Sequence, residues 1–129
     1  RTMADTISSS DAAAPVASYS QAVVAGDLVF VSGQIPLRPG SDDLISETIE
    51  AATEQCLLNV QHILGAKGLS LSHVVKSSVF LIHTEDYAGM DATYQRIMPK
   101  PFPAREAVFV AGLPKSARVE ISVIAHQHH

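Results

Sequence analysis

The length and charge of the chain exclude several classes of protein. Its 129 residues, 47% hydrophobic and 17% charged, fit one ordinary domain with a sizeable core. The net charge of −4 comes without a basic stretch, which argues against a nucleic-acid surface, and no apolar run approaches the length of a membrane span. The single cysteine, Cys56, excludes an internal disulfide framework and suits a reducing compartment, the cytoplasm or an organelle interior.

The two ends of the chain are predicted to be additions to a domain of residues 15–125. Residues 1–14 are mostly small and polar, which is typical of a flexible leader or an expression scar. Residues 126–129 are interpreted as a tail. Three of these four residues are histidines, and a tail or purification tag explains them better than a metal site does.

The first half of the domain is predicted to be a β-hairpin followed by a helix. Two apolar runs, 22–25 and 28–31, flank Gly26-Asp27, a pair typical of a tight turn. A loop rich in proline, glycine and aspartate covers residues 36–43. Apolar residues then recur at helical spacing over 46–67, and Cys56 falls on their stripe, which favours packing over reactivity.

The second half is predicted to be strand 74–82, helix 84–98, and strands 105–111 and 118–125. The order ββ-α-β-α-ββ predicts an α+β domain in which two helices pack on one face of a mixed, mostly antiparallel β-sheet. The last two strands are apolar on both faces. Because the helices cover one face only, the other face is expected to bury against another copy of the chain, in a homo-oligomer.

Two charged residues in the final strands, Arg105 and Glu120, are the candidate chemical groups. Arg105 shares a strand face with Ala107 and Phe109, and a guanidinium on an apolar face needs an anion beside it. Arginine can hold a carboxylate with two hydrogen bonds, and glutamate can move a proton or orient a water molecule. Two interpretations stay open: the residues act on a small carboxylate substrate, or they pair with each other.

Other kinds of catalytic site lack their sequence patterns. The chain has no glycine-rich phosphate loop and no nucleophile elbow. His62, His73 and His83 do not have the spacing of metal ligands. We therefore predict chemistry without a metal, a cofactor or a covalent intermediate.

Several separated segments resemble the reactive intermediate deaminase family, also called the RidA/YjgF family. They are YSQAVVAGDLVFVSGQIPL, VVKSSVFL, DATYQRIM and FPAREAVFVAGLPKSARVEISVIA, in the family's order. The resemblance implies a chorismate-mutase-like fold and a homotrimer with active sites between subunits. It also implies a cofactor-independent deaminase of the 2-iminobutanoate/2-iminopropanoate type, which hydrolyses enamines and imines such as 2-aminoacrylate to 2-oxo acids and ammonia.

The resemblance also implies roles for individual residues. Arg105 matches the arginine that grips the substrate carboxylate. Glu120 matches the glutamate that positions or activates water. Tyr19, Ser32 and Gly33 match residues that line the substrate pocket.

Three departures from the family pattern affect the predicted pocket. Ala107 replaces a common cysteine but keeps a backbone N–H that can meet a carboxylate, and Ala17-Ser18 replaces Gly-Pro before the tyrosine. Asp91 replaces an asparagine. It is expected to repel a bound carboxylate, to favour a cationic iminium, or to point into solvent, and these alternatives stay open. They leave two further functions: a diverged tautomerase, cyclase or hydrolase, and a non-catalytic trimer that binds small carboxylates.

Overall fold

A computed structural model describes residues 5–128, and within them six strands form one mixed sheet. The strand order is β1-β2-β3-β6-β4-β5, with β4 and β5 parallel and the other neighbours antiparallel. The strands are β1 Asp5–Ile7, β2 Ala22–Ala25, β3 Leu28–Gln34, β4 Val74–Leu81, β5 Ala104–Phe109 and β6 Val119–His126, and the helices are α1 Ile49–Gly65 and α2 Tyr87–Ile97. The predicted α+β fold with a mixed sheet and two helices is confirmed.

Local sequence sets the limits of α1. Thr48 caps its first turn, because its hydroxyl accepts a hydrogen bond from the backbone N–H of Ala51 at 3.0 Å. Beyond its last turn, Gly68 adopts a φ of +75°, a conformation that favours glycine. Neither α1 nor any other helix within residues 5–128 is long and apolar enough to cross a membrane.

The core lies between the helices and one face of the sheet. Leu57 and Ile63 of α1 are fully buried, as are Val79 of β4 and Ile121 of β6. Each such side chain contributes roughly 1.5–3 kcal/mol through burial. Cys56 lies in the same layer and is buried, as its place on the predicted stripe indicates.

The opposite face of the sheet carries no helix within the described residues. Glu120, Ser122 and Ile124 of β6 point to it and are half-buried, while Phe30 and Val108 on the same face are exposed. We call this surface the open face. It has the apolar character expected of a subunit interface, and the homo-oligomer stays a prediction.

The structure departs from the predicted boundaries at both ends of the domain. Asp5–Ile7, inside the predicted leader, form the edge strand β1, and Ala13 is buried, with its carbonyl accepting a hydrogen bond from Gln21 at 2.7 Å. At the other end, β6 includes His126, and the backbone N–H of Gln127 donates to the carbonyl of Asp27 at 2.8 Å. Residues 1–4 and 129 of the predicted additions lie outside the described residues.

Candidate active site

Arg105 lies on the edge strand β5 and is held by side chains of α2. It pairs across the strands with the buried Ser77 of β4, so its side chain points to the helix-covered face. Its guanidinium donates to Asp91 Oδ1 and to the Tyr87 hydroxyl, each at 2.8 Å, and lies 4.9 Å from the ring centroid of Tyr94. Positions 87, 91 and 94 are four and three residues apart, which places them on one face of the helix.

The Tyr94 ring provides a fixed, neutral surface against the guanidinium. Its hydroxyl donates to Ser77 Oγ at 2.9 Å, and burial raises the pKa of the Tyr94 phenol. The ring therefore stays uncharged at neutral pH and attracts Arg105 through its π-face.

A pocket of about 290 Å³ opens beside Arg105. Its walls are Asp91, Tyr94, Gln95, Phe102, Pro103 and Arg105. The side chain of Arg105 is 19% exposed and that of Asp91 45% exposed, so the arginine is the more enclosed of the two. The space suits a small organic acid.

Ala107 follows Arg105 on the same face of β5. It pairs with Val79 and packs, partly buried, against the core. The methyl group at this position therefore completes the packing beneath the strand where the family commonly has a thiol.

Glu120 lies on the open face, close to the backbone of Gly33. It pairs with Phe80 of β4, and a side-chain Cβ at position 33 would overlap its carboxyl group. The register of β3 against β6 shifts between Val31 and Gln34, which places Gly33 in an irregular stretch next to the carboxyl. Burial raises the pKa of Glu120 above its ordinary value.

Tyr19 and Ser32 belong to the Glu120 side of the molecule. Ser32 Oγ donates to the carbonyl of Ser20 at 2.6 Å, which ties β3 to the segment that carries Tyr19. Tyr19 and Gly33 border the same small cavity. The predicted site residues therefore form two groups: Tyr19, Ser32, Gly33 and Glu120 in one, and Asp91, Arg105 and Ala107 in the other.

The two groups lie on opposite faces of the sheet within one chain. Arg105 and Val123 both pair with Ser77, on the helix-covered face, whereas Glu120 points to the open face. Within one chain Arg105 therefore does not pair with Glu120, and its ionic partner among the described residues is Asp91. The sequence alone did not predict this pairing, although the spacing of Tyr87, Asp91 and Tyr94 could have indicated it.

Cys56 is unsuited to nucleophilic chemistry. Burial, and to a smaller extent the charge of Glu120, raise the pKa of its thiol well above the ordinary value. The thiol donates to the carbonyl of Val119 at 3.8 Å. Cys56 therefore stays protonated and serves packing.

A larger groove of about 750 Å³ lies elsewhere on the molecule. It runs between residues 8–11 and the end of α1, and serines and His62 line much of it. It contains none of the predicted site residues, so its size does not make it the candidate site.

The raised pKa of Glu120 predicts how stability depends on pH. Between the ordinary value of 4.5 and the raised value, the folded chain binds more protons than the unfolded chain, so the free energy of unfolding falls as the pH rises through this window. Glu120→Gln removes the buried charge and is expected to be more stable than the parent protein above the window. Urea unfolding at fixed protein concentration, from about pH 4 to pH 8, measures the difference.

The advantage of Glu120→Gln is expected to shrink as the pH falls below the window, because the parent carboxyl is then protonated in both states. Glu47→Gln, at an exposed glutamate, is the matched control and should change stability little at any pH. A parent protein that is more stable than Glu120→Gln at neutral pH would contradict the prediction.

Comparison with known proteins places the chain in a family. A family model described as Endoribonuclease L-PSP matches residues 9–127. The chain is 42% identical over 122 residues to the RutC family protein y4sK of Sinorhizobium fredii, covering 95% of this chain and 97% of that protein. It is 38% identical over 121 residues to the 2-iminobutanoate/2-iminopropanoate deaminase of Capra hircus, covering 94% and 88%.

A solved structure agrees with these matches. The crystal structure of RidA from an Antarctic Psychrobacter bacterium superposes with a TM-score of 0.90 at 40% identity, covering 95% of this chain and 98% of that one. The fold and the matches thus define a small α+β protein in a family that includes proteins named as deaminases. The chain belongs to the RidA/YjgF family of reactive intermediate deaminases, and the resemblance noted in its sequence is confirmed.

Proposed function

We propose that this protein hydrolyses reactive enamines and imines to 2-oxo acids and ammonia, in a homotrimer whose active sites lie between subunits. The observation that carries the proposal is the placement of Arg105 and Glu120 on opposite faces of one sheet. Both can reach one substrate when the β5 edge of one copy meets the open face of another. The deaminase-named relative supports the reaction class.

Arg105 supplies the substrate anchor in this proposal. Among residues 5–128, only Asp91 and the Tyr87 hydroxyl accept hydrogen bonds from its guanidinium, which has five N–H groups. The remaining N–H groups, including that on Nε, can hold a substrate carboxylate over the 290 Å³ pocket. Fixing the carboxylate fixes the neighbouring carbon, so orientation supplies much of the rate gain.

Glu120 of the adjacent copy supplies proton transfer. The enamine 2-aminoacrylate takes a proton at its methylene carbon and becomes the iminium, the protonated 2-imino acid. Water adds to the iminium carbon while the Glu120 carboxylate accepts a proton from it, and the carboxyl then gives this proton to the nitrogen of the resulting carbinolamine. The C–N bond breaks as the hydroxyl group loses its proton to water, which gives pyruvate and ammonia. A carboxyl whose pKa is raised by burial is suited to both proton transfers.

A non-catalytic trimer that binds small carboxylates is the second candidate. It is favoured by the contact of Arg105 with Asp91, which already occupies part of the arginine's binding capacity. A diverged tautomerase, cyclase or hydrolase would use the same scaffold. The nuclease description of the family model gains little support from a chain of net charge −4 without a basic stretch.

An assay that generates 2-aminoacrylate in solution tests the proposed reaction. A serine or cysteine lyase generates the enamine in solution, and 2-oxo acid release is followed with and without this protein. We expect the protein to accelerate release and Arg105→Ala to abolish the acceleration, because the anchor for the carboxylate is lost. Arg96→Ala is the matched control, since Arg96 forms an exposed pair with Glu54 away from the pocket, and it should keep full activity.

The assay separates the candidates. No acceleration by the parent protein, with small carboxylates still binding, would favour the binding trimer. If the protein does not accelerate 2-oxo acid release from 2-aminoacrylate but converts another enamine or imine, the diverged tautomerase, cyclase or hydrolase would be favoured.

A further inference from the structure

The ion pair between Asp91 and Arg105 leaves the anchor without net charge. Asp91 Oδ1 lies 2.8 Å from Arg105 Nη1, so the carboxylate cancels the guanidinium within the pocket wall. Tyr87 and Tyr94, which complete the arginine's surroundings, contribute a hydroxyl and a ring. A ligand that carries only a carboxylate would therefore add an uncompensated negative charge.

Only one of the two carboxylate oxygens of Asp91 accepts a hydrogen bond from Arg105. Within residues 5–128, Oδ2 accepts no hydrogen bond, and the side chain is 45% exposed and lines the 290 Å³ pocket. The pocket thus combines N–H donors of Arg105 with a carboxylate oxygen of Asp91 beside them. This arrangement is complementary to a ligand that has a carboxylate and a positive charge on adjacent atoms.

We propose that Asp91 makes the pocket selective for zwitterionic ligands, in which an iminium or ammonium group neighbours the carboxylate, over simple 2-oxo acid anions. The inference rests on the proposed function, because it assigns Arg105 to the ligand carboxylate. A protonated 2-imino acid is such a zwitterion, and the protonated form is the one whose carbon accepts water. Asp91 then acts as a positioning residue that holds the charged nitrogen.

The same charge arrangement favours product release. Hydrolysis replaces the cationic nitrogen of the substrate with a neutral carbonyl oxygen, so the 2-oxo acid offers no positive charge to Asp91. The product is therefore held more weakly than the protonated imine. The carboxyl of Glu120 from the adjacent copy would strengthen the preference for the protonated imine over the 2-oxo acid, since it adds a second acidic group and no positive charge to the site.

Two stable probes with the same carbon skeleton test the selectivity. L-Alanine carries an ammonium group where pyruvate carries a carbonyl oxygen, and isothermal titration calorimetry measures the dissociation constant of each. We expect the parent protein to bind L-alanine more tightly than pyruvate. Asp91→Asn keeps the shape but removes the charge, and should shift the ratio of the two constants toward pyruvate by roughly tenfold or more.

Asp42→Asn is the matched control, because it removes the same charge from an exposed loop residue and should leave the ratio unchanged. Three results would overturn the inference: tighter binding of pyruvate than of L-alanine by the parent protein, an unchanged ratio in Asp91→Asn, or no detectable binding of either probe. The 2-aminoacrylate assay stays separate. If the ratio of the dissociation constants changes in Asp91→Asn but the protein does not accelerate 2-oxo acid release, the proposed reaction is wrong and the selectivity stands. If the protein accelerates release but the ratio is unchanged, the selectivity is wrong and the proposed reaction stands.

Discussion

Chains of Arg105→Ala and chains of Glu120→Gln, each inactive alone, are expected to regain about a quarter of the parent activity when they assemble together in equal amounts. Each proposed site takes its arginine from one copy and its glutamate from the next. In a random mixture, half of the arginine positions and half of the glutamate positions are intact. Independent pairing then leaves about one site in four complete.

The physical reason for this complementation is the sheet itself. Arg105 points to the helix-covered face through its pairing with Ser77, and Glu120 points to the open face through its pairing with Phe80. A β-sheet cannot bring two such side chains together without a second copy. If one chain held a complete site, mixed oligomers would contain only sites that lack one of the two groups.

The experiment requires true mixed oligomers. The two variants are co-expressed with different affinity tags, and oligomers that carry both tags are purified and assayed for 2-oxo acid release. In the proposed trimer this selection removes the inactive single-variant oligomers, so the expected activity of the purified fraction rises from about a quarter to about a third of the parent activity. Arg105→Ala combined with the double variant Arg105→Ala/Glu120→Gln is the matched control, because no arginine is intact and no activity should return. Inactive mixed oligomers of the two single variants would contradict a site shared between copies.

Sequence periodicity predicted the main elements because their stability comes from apolar residues at regular spacing. The stripe of α1 and the alternation of β6 are of this kind. The edge strand Asp5–Ile7 was missed because it is only three residues long and lies among small polar residues. Its pairing with β2 depends on tertiary contacts, which local strand propensity does not predict.

The sequence offered candidate residues but not their arrangement, and it did not indicate Tyr87 and Tyr94 beside Arg105. Charges in the final strands singled out Arg105 and Glu120, and family motifs supplied Gly33. Their relative placement depends on the register of β4, which has an irregularity between Val74 and Lys76, and on the parallel pairing that brings β5 beside α2. Side chains alternate between the two faces of a strand, so the face on which a residue lies is fixed only once the strand register is known. A single sequence does not reveal that register.

Removing Arg118 is expected to cause the largest loss of stability among single charge changes away from the pocket. Its guanidinium donates to both oxygens of Asp86, at 2.8 and 3.1 Å, and to the carbonyl of Ser46 at 3.0 Å. The side chain of Asp86 is 5% exposed. Arg118→Ala would leave this carboxylate buried without a counter-ion, which costs about 3–5 kcal/mol.

The exposed ion pair between Arg96 and Glu54, which has the same separation as the Asp86–Arg118 pair, isolates the effect of burial. Arg96 Nη2 and Glu54 Oε1 are also 2.8 Å apart, but their side chains are 62% and 47% exposed, so Arg96→Ala should cost about 1 kcal/mol or less. Urea unfolding at fixed protein concentration measures both losses. The double variant Arg118→Ala/Asp86→Ala should be less destabilised than Arg118→Ala, because it removes the orphaned charge as well.

The ion pair between Asp86 and Arg118 connects the two groups of predicted site residues. Arg118 stands two residues before Glu120, and Asp86 directly precedes α2, which carries Tyr87 and Asp91. The pair therefore ties the strand that presents the carboxyl to the helix that holds Arg105. If Arg118→Ala and Arg96→Ala lost equally little stability, water would have to reach Asp86 in the folded protein, and the pair would not fix the helix against the sheet.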